Sequence, residues 1–80
     1  MHYEPTRIRA FYHPRTEAER RMMDATVIGV AASYGAKSLG AYDTLGNDTR
    51  THEFELSYNR ATRAVQDFID LGFEAEMRLV

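Results

Sequence analysis

Cysteine is missing from this sequence, which removes disulfide staples and thiolate-bound zinc from consideration and suits a reducing compartment. There is also no apolar run near the ~18 residues that a membrane span requires. The opening residues, Met1-His2-Tyr3-Glu4-Pro5, lack the basic and apolar regions of a signal peptide, so a cytoplasmic location is expected. Charge of one sign is scarce as well. A net charge of −2 is too small to draw the chain to nucleic acid or a membrane surface through a bulk field. The imbalance is regional: residues 1–40 hold six bases and four acids, residues 41–80 four bases and eight acids. An acidic second half disfavours phosphate binding there and suits a basic protein partner.

What is present is enough for one small core. The chain has 80 residues, 44% of them hydrophobic, which allows a single domain and argues against disorder. Thr6 to Tyr12 alternates, placing Ile8, Ala10 and Tyr12 on one side and Arg7, Arg9 and Phe11 on the other, as in a half-buried strand ended by Pro14. Thr16 followed by Glu19 is a capping box that opens a long helix. Met23, Val27, Val30 and Tyr34 form its apolar stripe, and Gly35 stops it. Thr26 to Val30 is β-branched enough for a strand, but the flanking caps and the unbroken stripe favour helix.

Ser38 to Leu45 and Thr51 to Tyr58 read as two strands joined by a turn at Gly46-Asn47-Asp48, residues suited to positive φ. A second helix is expected from about Asn59 as N-cap, with Ala61, Ala64, Val65, Phe68 and Leu71 inward and Gly72 as its stop. Phe73 folds back on its last turn. Glu74 to Val80 closes the chain as a strand with Ala75, Met77 and Leu79 inward. This order, β-α-β-β-α-β, predicts an α+β, ferredoxin-like domain: a four-stranded antiparallel sheet with two helices on one face. Topology and alternation then put Arg7, Arg9, Phe11, Glu53, Glu55, Glu74, Glu76 and Arg78 together on the uncovered face.

That face lacks the central aromatics with which RNA-recognition domains stack bases, and its carboxylates repel phosphate, so direct nucleic-acid binding is not expected. Its simplest content is cross-strand ion pairs, each worth about 0.2–1 kcal/mol. Gly35-Ala36-Lys37-Ser38 fails the glycine spacing of a phosphate loop, and His2, His13 and His52 have no metal-ligand spacing. No serine has a His/Asp support, and the carboxylate pairs sit beside arginines that keep them ionised. No cofactor, metal or catalytic constellation emerges.

A non-enzymatic protein-binding module is the reading that remains, either monomeric or weakly dimeric. In size and economy the whole chain resembles small phage- or prophage-encoded inhibitors of the anti-CRISPR type, with no residue motif carrying the likeness. The resemblance implies a partner such as a nucleic-acid-binding effector complex. Glu53, Glu55, Asp67, Asp70, Glu74 and Glu76 would then meet its basic surface, with Phe11 or Tyr42 as anchor. The alternative is a small-ligand regulatory or dimeric α+β barrel protein, pairing sheet to sheet around an apolar pocket. A weak nucleic-acid binder using Arg7, Arg9, Arg15, Arg20 and Arg21 is the third reading.

Overall fold

In the computed structural model, which describes residues 5–79, the elements are β1 (Pro5–Tyr12), α1 (Glu17–Ser33), β2 (Lys37–Thr44), β3 (Thr49–Ser57), α2 (Tyr58–Asp70) and β4 (Glu74–Leu79). The strands form one antiparallel sheet in the order β2-β3-β1-β4, with both helices on one face, which is the ferredoxin-like arrangement. Alternation in β1 sets the layering. Thr6, Ile8, Ala10 and Tyr12 are buried under the helices while Arg7, Arg9 and Phe11 turn to the other face. Among the described residues, no helix is long and apolar enough to cross a membrane.

Helix α1 starts as its capping residues require: the Glu19 amide donates to Thr16 Oγ1 at 3.0 Å. The Glu19 carboxylate also accepts from the Arg15 amide (3.3 Å), one residue before the cap, which fastens the chain's entry into the helix. The inward stripe differs from the expected one. Val27 and Ala31 are buried, whereas Met23, Val30 and Tyr34 are half-buried at its margin. The helix is turned so that Asp24, one turn before Val27, faces Arg50 and His52 of β3, and Arg20, two turns before it, faces Asp43 of β2. Gly35 stops the helix at φ 67°.

Helix α2 begins at Tyr58, one residue before the expected cap. Ser57 occupies the N-cap position in extended geometry while still paired to Pro5, so strand passes into helix with no loop, and the Ser57 side chain makes no capping bond. Ala61, Ala64 and Phe68 are buried, but Leu71 is 56% exposed. It is the C-cap residue, past the end of the helical period, and the inward place goes to Phe73 instead. Gly72 at φ 95° lets the Phe73 amide return to the Phe68 carbonyl at 2.9 Å, so Phe73 is buried beneath the last turn.

The β2–β3 connection has its positive φ at Asp48 (54°), not at Gly46. In β4, Met77 pairs with Ile8 on the helix side but is 40% exposed, because β4 is an edge. The expected inward side chain of Leu79, and Val80 as part of β4, lie outside the described positions. The other edge strand, β2, is exposed along all eight residues. Its ladder to β3 is interrupted by a bulge between Ser38 and Gly40, where Gly40 has φ 123°.

Candidate functional site: the open sheet face

The uncovered face carries the charged set that strand alternation implied. Arg9 stands directly opposite Glu53 on β3 and Glu76 on β4, and its guanidinium reaches both, at 3.5 Å and 3.6 Å. One cation thus bridges two carboxylates across three strands. Phe11 lies between Thr51 and Glu74 in the same register. Together with Tyr42, Thr44, Thr49 and His13 it lines a shallow trough of about 400 Å³. His13 closes the end of that trough, its Nε2 3.4 Å from Glu74 and its Nδ1 3.3 Å from Thr49 Oγ1.

At the other end of the face Arg7 sits opposite Glu55 on one side and opposite Arg78 on the other. Arg7, Arg9, Glu76, Met77 and Arg78 line a hollow of about 270 Å³. Glu55 is also opposite Lys37 on β2. Among the described residues Arg7 and Arg78 enter no ion pair, and the buried Arg7 Nε has no hydrogen-bond partner.

Seven of the expected contact residues, Arg7, Arg9, Phe11, Glu53, Glu55, Glu74 and Glu76, therefore share one face. Asp67 and Asp70 do not. They belong to α2 in the opposite layer, where Asp67 accepts from the Tyr34 hydroxyl and Asp70 from Gln66 Nε2 at 2.8 Å. The six-carboxylate patch is split by the sheet, because α2 packs on the side that β1 buries.

Sequence reasoning missed a second polar constellation, between α1 and the sheet. Asp24 accepts from the Tyr12 hydroxyl, from Arg50 at 3.2 and 3.3 Å, and from His52 Nε2 at 2.8 Å. Arg50 and Arg20 then share Asp43 of β2 at 3.4 and 3.3 Å. This network fastens the polar half of α1 to β3 and β2. Its signal was available: Arg20, Asp24, Val27 and Ala31 follow the same i, i+4, i+7, i+11 spacing as the apolar stripe.

Burial alone would raise the Asp24 carboxyl, but hydrogen bonds from Tyr12, His52 and Arg50 outweigh it and hold the pKa down to about 2. Burial, reinforced by the same carboxylate, pushes the Tyr12 phenol up. A depressed acid contributes stability above its unfolded value and loses it as pH falls through the folded one. Against the ordinary 3.8, the contribution of Asp24 is roughly 2 kcal/mol, lost between about pH 4 and pH 2. Urea midpoints measured across that window should fall, and Asp24→Asn should flatten most of the slope.

No protein-family model matches the chain, and no curated protein matches it either. Solved structures do. The chain is similar to the regulatory subunit of aspartate kinase from Thermus flavus, with a TM-score of 0.61 at 15% identity over 98% of this chain and 53% of that one. It is likewise similar to the ligand-free regulatory subunit of aspartate kinase from Thermus thermophilus: TM-score 0.58, 16% identity, 95% of this chain and 51% of that one. Such identities show the fold. The chain spans about half the length of the regulatory subunits it matches.

Proposed function

We propose that this chain is a non-enzymatic, small-ligand regulatory module that works as a pair, a second copy seated against its α1–β2 side. The observation that carries this reading is the uncovered edge. All eight residues of β2 are exposed, Leu39 among them, and α1, tied to β2 through Arg20 and Asp43, exposes Ile28 (55%). A domain this small has no surplus core to leave such a margin empty at no cost. The fold supports the regulatory part of the reading: the similar solved structures are regulatory subunits, about twice as long as this chain.

Pairing face to face across the open sheet has less in its favour, because that surface is laced with arginines and carboxylates. The bulge at Ser38–Gly40 limits any shared ladder to the far end of β2, leaving apolar contact by Ile28 and Leu39 to drive association. The reading as an inhibitor of a basic effector surface draws on the same carboxylates. Glu53 and Glu76 are already held by Arg9, which weakens the negative field such a partner would need.

Sedimentation equilibrium at tens of micromolar should give twice the chain mass, and Ile28→Glu combined with Leu39→Glu should return the protein to monomer with its circular dichroism intact. A wild-type chain that stays monomeric, or a dimer indifferent to both charges, contradicts the pairing.

A further inference from the structure

We infer that the hollow between Arg7 and Arg78 is a binding site for a small monocarboxylate. The inference rests on the regulatory reading above and gives its ligand a chemical class. β1 and β4 place the two arginines directly opposite one another, an arrangement that repels unless an anion lies between them. The side chains on the sheet facing Arg7 do not supply that anion. Glu76 is engaged by Arg9, and Glu55, across β3, makes no ion pair with Arg7. Arg7 Nε is buried without an acceptor, a state that costs free energy until an oxygen reaches it.

The geometry suits a carboxylate, whose two oxygens can take parallel N–H donors from a guanidinium fork or bridge two of them. Charge selects the monoanion. The hollow is lined by Arg7, Arg9, Arg78 and Glu76; counting Glu53, the second carboxylate held by Arg9, three cations meet two carboxylates and one positive charge is unmatched. A dianionic phosphate would overfill that balance and crowd Glu76. The volume, about 270 Å³, admits a short acid.

The test is titration of the full chain with sodium butyrate in a low-salt amine buffer, followed by ¹H–¹⁵N spectra that include the arginine Nε–H signals. Shifts should saturate and centre on Arg7, Met77 and Arg78. Arg78→Gln, an exposed position, should weaken binding at least tenfold with an unchanged melting temperature, and Arg7→Lys, which removes the buried Nε–H, should do the same. Inorganic phosphate should bind more weakly than butyrate. Saturable binding that survives both substitutions, shifts spread over all arginines, or phosphate binding more tightly overturns the proposal. The monomeric Ile28→Glu/Leu39→Glu chain separates the two readings. Butyrate binding without any pairing in the wild type sinks the paired module alone, whereas pairing without butyrate binding sinks the site alone.

Discussion

Asp24→Ala should lower the urea midpoint by roughly 3 M, the largest effect expected from any polar residue of this chain. The substitution leaves His52, whose side chain is 5% exposed, and Arg50, at 15%, facing a hole where a carboxylate had been. Breaking a buried ion pair by removing one partner costs about 3–5 kcal/mol, because the surviving charge stays desolvated. Arg50 keeps Asp43 at 3.4 Å, which places the expected loss near the lower end, about 3 kcal/mol. With a denaturant slope of about 1 kcal/mol per M for a domain this small, that is a shift of about 3 M. If the stranded charge is the cause, Arg50→Met in the same background should recover part of the loss. A double variant no better than Asp24→Ala would show that the cost lies in Tyr12 and His52 instead.

Phe68→Ala should cost about 3–5 kcal/mol, as for other fully buried aromatic rings cut to a methyl. Phe68 is 0% exposed and joins the core across both layers. Its ring stacks on Phe54 of β3 (6.4 Å, 11°) and meets Phe73 edge-on (6.2 Å, 89°). Phe73 in turn touches Tyr12 at 5.5 Å, and Tyr12 donates to Asp24, so loosening the ring also loosens the polar network. A chain of 80 residues has only about 4–12 kcal/mol of stability, so this one deletion removes about a quarter of it or more. Thermal unfolding followed by circular dichroism should show a midpoint lower by roughly 20 °C. Phe68→Leu, which keeps most of the volume, should lose far less. A Phe68→Ala midpoint within a few degrees of wild type would mean that Phe54 and Phe73 close over the space.

Much of the architecture was legible because it depends on period and punctuation. β1 alternates without exception from Thr6 to Tyr12, so its two faces follow from parity alone. Thr16, Glu19, Gly35 and Gly72 mark three helix ends through local chemistry that needs no distant partner. The gathering of Arg9, Glu53 and Glu76 followed from that parity plus topology. Leu71 and Asn59 misled because a helical period says which face a residue is on and nothing about where the chain leaves the helix.

Residue pattern alone therefore determined the element order and the two faces of the sheet, since both are written in neighbouring residues. Only the tertiary structure decided how far α1 is turned, because two stripes of equal spacing, Met23–Tyr34 and Arg20–Ala31, share Val27 and compete to face inward. Polar partners on β3, Arg50 and His52, settle it in favour of Asp24. The same is true of the bare β2 edge and of the facing pair Arg7 and Arg78. Strand register and the reach of a covering helix are set by contacts between segments far apart in the chain, and no local signal encodes them.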